Sequence, residues 1–244
     1  MRTSAILPLK SFDAAKSRLG ACLAPALRAR LARSMAEDVL DALARCEQIE
    51  AIFLVGADAP TRALAPGFGA IPVADASPTG QSAAVALGIE HALAAHFKRV
   101  LCVPGDCPAL SPADLLALLD GAAERALTIV PDRHGTGTNA LLIAPPELIP
   151  PSFGAGSFAR HLQLARSVGV APHVLRPASL ALDIDTPADL AQLHERASTL
   201  GGARRTLALL ADAAARGEEP LHQPSHPQHG TARAQRRHLR RGAA

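Results

Sequence analysis

The chain has 244 residues, of which 48% are hydrophobic and only 2% aromatic, with no Trp or Tyr. No run reaches the ~18 uninterrupted apolar residues of a membrane span, and MRTSAILPLK lacks a long apolar stretch ending in a cleavage site, so a cytoplasmic protein is expected. The net charge of +3 belongs to the tail: residues from Glu218 onward carry five Arg and two Glu, leaving 20 basic against 20 acidic groups in residues 1–217 and no field to attract nucleic acid.

Ala5–Leu9 reads as a buried strand feeding a loop that holds Lys10, Lys16 and Arg18, including two of the chain's three lysines. From Pro25 to Cys46, the residues Leu27, Leu31, Met35, Val39 and Leu43 recur four apart and mark one helix face. Ile49–Val55 is a strand ending at Gly56, Ile71–Ala74 a short strand, and Gln81–His96 a helix opened by Gly80. Arg99–Val103 is a strand that stops at Pro104-Gly105-Asp106. Ser111-Pro112-Ala113-Asp114 starts a helix, with Ser as cap and Pro at the first position. Leu127–Val130 and Asn139–Ile143 are strands, Ser157–Val168 a helix and Ala171–Leu175 a short strand. Thr186-Pro187 opens a helix to about Arg196, and residues 200–215 add another. Residues 218–244 are rich in Pro, Gln, His and Arg without apolar period, so a disordered basic tail is expected. Its closely spaced histidines His222, His226 and His229 are not expected to form a metal site. The domain reading is therefore 1–198, with a helix within 199–217 and a tail over 218–244.

Strands separated by helices imply an α/β fold with a mostly parallel sheet covered on both faces. Such sheets bind ligands at the carboxyl ends of their strands. The loops after Leu9, Val103 and Val130 fall there. Lys10, Lys16 and Arg18 suit a phosphate chain, and Gly20 adds backbone amides nearby. Asp106, directly after a buried strand, suits Mg²⁺, which needs few protein oxygens when phosphates supply others. Asp183 and Asp185 are expected to point to opposite sides, one into the site and the other to solvent or a helix cap. The loop 131–139 brings Gly135, Gly137, Thr136 and Thr138, with His134 read as a surface hydrogen-bonder. Gly154, Gly156 and Ser157 precede a helix and form an anion pocket. Cys22, Cys46, Cys102 and Cys107 match neither zinc nor CxxC spacing and read as small buried hydrophobes.

Together LPLK…AKSRL, Gly80-Gln81-Ser82, PGDCPAL, PDRHGTGTNALL, FGAGSFARH and DIDTPADL resemble, in this order, a known family over about residues 3–198. It is the family of guanylyltransferases that activate a phosphorylated three-carbon acid in deazaflavin coenzyme biosynthesis. The resemblance implies a Rossmann-like, GT-A-like nucleotidyltransferase fold, a three-layer sandwich. It implies GTP as donor, Mg²⁺ as cofactor, and 2-phospho-L-lactate, phosphoenolpyruvate or 3-phospho-D-glycerate as acceptor. By the same resemblance, Lys10, Lys16 and Arg18 meet the triphosphate, with Lys16 and Asp106 catalytic. Gly80, Gln81 and Ser82 lie near the guanosine, Asp106 and Asp185 hold the metal, and Thr138, Gly154 and Ser157 receive the acid. A homodimer is compatible with this reading. AKSRL and DxDTPxDL also occur in molybdopterin and sugar-phosphate nucleotidyltransferases, so those acceptors stay open. The chain departs from the family at Gly105 and Cys107, where Ala and Leu are commoner, and in its basic tail.

Overall fold

The computed structural model describes residues 1–76, 79–120 and 123–218. The tail beyond Glu218, with its four histidines, lies outside the described residues. Among the described residues, seven strands form one sheet: β1 (Thr3–Leu9), β2 (Ala51–Gly56), β3 (Ile71–Ala74), β4 (Arg99–Cys102), β5 (Ala126–Pro131), β6 (Thr138–Ala144) and β7 (His173–Val174). Their order is β3-β2-β1-β4-β6-β5-β7. Only β6 runs against its neighbours, pairing antiparallel with both β4 and β5. The mostly parallel sheet is as expected, and the single reversed strand arises because β5 and β6 are joined by a short loop rather than a crossover helix.

Alternation along each strand divides the core. Ala5, Leu7 and Leu9 of β1 face one side, together with Ile52, Leu54, Leu101 and Leu142. There they pack on α1 (Pro25–Ala44) and α4 (Pro112–Leu119) through Ala36, Val39, Leu40, Leu43, Leu115 and Leu119. Ile6, Phe53, Val55, Val100 and Leu141 face the other side, against α3 (Gln81–Ala94) and α5 (Ser157–Ser167). The result is the expected three layers, and the five helix-face residues predicted in α1 are all buried. Aromatic side chains being scarce, this core is closed by Leu, Val, Ile and Ala packed at short range.

A third cluster has direct consequences for the site. Leu19, Leu23, Leu27 and Leu31 pack with Leu182, Ile184, Leu190 and Leu193, the last two on α6 (Pro187–Leu200). It joins the segment after Lys16 to the segment before α6. The chain then continues into α7 (Arg204–Ala215), whose start is fixed by buried Asp38 of α1. Asp38 accepts from the amides of Arg205 and Thr206, each at 2.9 Å, and from the Thr206 hydroxyl at 2.7 Å. The predicted helix after residue 199 is therefore part of the folded body. Among the described residues, no helix is long and apolar enough to cross a membrane. All four cysteines are buried and unpaired.

Candidate active site

β1 ends at Leu9, and the loop 10–16 turns back through two bonds, Ala14 to the Ser11 carbonyl and Ala15 to the Phe12 carbonyl. Half-buried Phe12 and Ala15 anchor it to the core. Lys16 then adopts a left-handed backbone, φ 56° and ψ 40°, and caps a one-turn 3-10 helix over Ser17–Ala21 that the sequence reading lacked. Such a conformation is strained for a side chain other than glycine and persists only where its surroundings impose it.

Those surroundings are two carboxylates. The Lys16 ammonium donates to Asp106 Oδ2 at 2.9 Å and to Asp185 Oδ1 at 3.1 Å. Arg18 reaches the other Asp185 oxygen at 3.1 Å. The Lys16 side chain is only 8% exposed. Burial alone lowers its pKa, but Asp106 and Asp185 outweigh burial, and the net shift is upward. The ammonium is thus a firmly charged group lying between two acids.

The neighbours of each acid explain its position. Asp106 follows β4, and its carbonyl accepts from the Ile184 amide at 3.0 Å, binding the two acidic segments together. It is not a helix cap, since the Ser111 hydroxyl accepts from the Asp114 amide at 3.1 Å. Nor does Asp185 cap α6: Thr186 does, in a capping box with Asp189. The expectation that Asp183 and Asp185 diverge is corrected. Leu182 and Ile184 are both buried in the third cluster, and alternation leaves the two aspartates together on the opposite side. Their partners differ. Asp185 holds Lys16 and Arg18, whereas half-buried Asp183 accepts from Asn139 Nδ2 at 3.4 Å. Burial, then nearby Asp106, pushes the Asp183 carboxyl up. Only Asp185 of the pair lines the cleft.

That cleft has a volume of about 630 Å³ and lies over the ends of β1 and β4. It gathers Lys10, Lys16, Arg18, Gly80, Gln81, Asp106 and Asp185, as well as Asp75, which the sequence reading did not single out. Gly105 lines it too, and its departure from the family has a local reason. A Cβ on Gly105 would come within 2.4 Å of Leu9 Cδ2. Cys107 is fully buried in the α1–α4 side of the core, where a small side chain packs.

Thr138, Gly154, Ser157 and Ser82 are not among the residues lining the cleft. They form a second group beside it. Gly154 and Gly156 have φ of 102° and 71°, a turn that only glycine adopts readily. The Ser157 amide donates to the Gly154 carbonyl at 3.0 Å, and the Phe158 amide to Thr136 at 3.2 Å. The first of these bonds closes the turn on itself, and the second fastens it to the loop 131–138. That loop is built around Asp132, which accepts from the Thr136 and Gly137 amides at 2.9 and 2.8 Å. Ser82 connects the two groups, because its hydroxyl accepts from the Phe153 amide at 2.8 Å. It therefore faces the Gly154–Ser157 turn rather than opening onto the cleft. His134 stays on the surface beside Arg133, as expected. Arg133 also ion-pairs with buried Asp189.

His161, quoted in the FARH motif but given no role, is fully buried. It contacts Thr138 and the Ser152 amide. Burial, then the Arg160 cation, lowers its pKa from 6.5 to about 4. The unfolded chain therefore takes up a proton that the folded chain refuses. The associated stability is intact above pH 6.5 and is lost as pH falls to about 4, by roughly 3 kcal/mol in total. Denaturant titrations near pH ~7 and ~4.5 should show a smaller acid loss in His161→Gln than in the wild type. An equal loss in both proteins would contradict the shift.

With the geometry in view, the comparisons agree with one another. The family model described as "Guanylyl transferase CofC like" matches residues 3–199. A phosphoenolpyruvate guanylyltransferase from Conexibacter woesei is 46% identical over 86% of this chain and 96% of its own. A 2-phospho-L-lactate guanylyltransferase from Methanothermobacter thermautotrophicus is 32% identical over 79% of this chain and 84% of its own. A solved structure from Desulfovibrio desulfuricans, provisionally named a nucleotide-diphospho-sugar transferase, superposes with TM-score 0.70 at 19% identity. It covers 88% of this chain and 96% of that one, and shows the nucleotidyltransferase fold. The chain belongs to the CofC-like guanylyl transferase family.

Proposed function

We propose that this protein transfers GMP from GTP to the phosphate of a small three-carbon phospho-acid, releasing pyrophosphate, and that the product enters deazaflavin coenzyme assembly. Phosphoenolpyruvate and 2-phospho-L-lactate are the acids named for the relatives, and 3-phospho-D-glycerate is the third candidate. The observation that carries the mechanism is the Lys16 ammonium held by Asp106 and Asp185 on the cleft. The acceptor phosphate has a second pKa near ~6, so its attacking oxygen is already ionised at neutral pH. No general base is needed, which agrees with the surface position of His134. The obstacle is repulsion between two phosphate groups, so positioning and charge neutralisation must provide the catalysis.

The charges lining the cleft make the demand concrete. Lys10, Lys16 and Arg18 are offset by Asp75, Asp106 and Asp185. A balanced site cannot by itself neutralise a triphosphate. Asp106 and Asp185 offer hard oxygens already converging on one cationic nitrogen, a donor set that fits Mg²⁺. When bound there, Mg²⁺ would supply the missing charge neutralisation at the reacting phosphates. Lys16 and Arg18 then stabilise charge on the α-phosphate and the leaving pyrophosphate, Lys10 holds the outer phosphates, and Gly80 and Gln81 border the nucleoside. Thr138, Gly154 and Ser157 seat the carboxylate end of the acid.

GTP labelled at the α-phosphorus tests the reading. The label should appear in a product joined to the acid, while γ-label leaves only in pyrophosphate. Label from the γ-position in the acid would mean phosphoryl transfer and refute it. Ser157→Ala and Ser82→Ala should each raise the acceptor KM about three- to tenfold, with the GTP KM within about twofold. A rise confined to the GTP KM would return Ser82 to the nucleotide side and remove Ser157 from the acid.

A further inference from the structure

His161 lies between two parts of the acid-side group. It sits one helical turn after Ser157, so both project from the same face of α5. Its Nε2 accepts from the Ser152 amide at 3.1 Å, and its Nδ1 lies 2.9 Å from Thr138 Oγ1. The ring packs edge-on against Phe153, with centroids 5.3 Å apart. These contacts decide the tautomer. An amide can only donate, so Nε2 carries no proton. The neutral ring then has its hydrogen on Nδ1, and Thr138 Oγ1 accepts it. The Thr138 hydroxyl is left with its own hydrogen to give to another acceptor.

Arg160 fastens the same turn, donating from its guanidinium to the Ser152 and Phe153 carbonyls, each at 3.0 Å. The ring is therefore held in place through the backbone on one side, while its other side acts on a single hydroxyl. Thr138 heads β6, at the edge of the loop that the Phe158 amide joins to α5.

We propose that His161 is a positioning residue: it fixes the Thr138 hydroxyl as a hydrogen-bond donor aimed at an anionic oxygen of the acid. This rests on the guanylyltransferase reading above. His161 touches neither substrate and takes no proton during turnover. Its role is to remove the hydroxyl's freedom to turn the wrong way, a hydrogen-bond orientation effect that ranks with preorganisation.

Three measurements test the proposal. First, ¹⁵N–¹H correlation spectra of the full chain at neutral pH should show His161 as the Nδ1–H tautomer. An Nε2–H tautomer would overturn the proposal whether or not the protein turns over GTP. Second, His161→Gln can place its oxygen where Nε2 met the Ser152 amide, but its NH2 then lies away from the Nδ1 position that meets Thr138. It should raise the acceptor KM about tenfold with the GTP KM unchanged, and His161→Asn, which restores a donor near Thr138, should recover part of the loss. Third, in a Thr138→Val background, His161→Gln should change the acceptor KM by less than about twofold, because the hydroxyl it acts through is gone. Additive effects in that cycle would show that His161 is scaffolding alone. If no acid supports turnover in the wild type, the function fails, while the spectrum still decides the tautomer.

Discussion

Asp106→Asn is expected to lower pyrophosphate release by about a thousandfold or more, with the circular dichroism spectrum unchanged. The substitution keeps the shape of the side chain and removes one of the two carboxylates that hold Lys16. Asparagine is a weaker donor to a hard cation, and it no longer offsets the ammonium. The fold should tolerate the change, because the Asp106 carbonyl, not its side chain, bonds Ile184. The carboxylate is about 31% exposed, so solvent screening leaves only a modest stability loss, on the order of 1 kcal/mol. Steady-state kinetics alongside thermal melts separates the two effects. Near-normal turnover would remove Asp106 from the reaction.

Lys16→Met should have an effect as large on turnover and an opposite one on cation binding. Without the ammonium, Asp106 and Asp185 are left with no shared counter-charge. Turnover should fall about a thousandfold. Added Mg²⁺ or Mn²⁺ should now raise the melting temperature more than it does in the wild type, since the cation replaces a lost positive charge on the same oxygens. Differential scanning fluorimetry across a metal titration reads this directly. Equal or smaller metal stabilisation in the variant would mean that the two acids are not the cation's ligands.

Much of the fold was legible because its signals are local. The repeat from Leu27 to Leu43, Ser111 before Pro112, and the apolar runs of β1, β2 and β4 each declare an element in a few residues. The reversed direction of β6 is signalled only by the short glycine-containing loop after β5, whereas its pairing with distant β4 leaves no mark in a short window. The site was legible as a set of motifs but not as contacts. That Lys16 lies under Asp106 and Asp185 depends on the cluster of Leu19, Ile184 and Leu190, which unites segments some 165 residues apart. Two adjustments follow the same logic. Asp183 and Asp185 share a side because Leu182 and Ile184, which alternate with them, are buried on the other. Ser82 faces Phe153 because α3 begins beside the acid-side turn. His161 had the weakest signal of all, a single letter one helical turn beyond a serine, and only the buried geometry reveals its partners.

A nucleoside triphosphate in the cleft and a small phospho-acid seated beside it should react with no general base. The most direct measurement follows pyrophosphate with purified protein, Mg²⁺ and GTP, adding phosphoenolpyruvate, 2-phospho-L-lactate or 3-phospho-D-glycerate in turn. Pyrophosphate release should require both GTP and at least one of these acids. No release with any of the three, or release that does not depend on the acid, would contradict this reading.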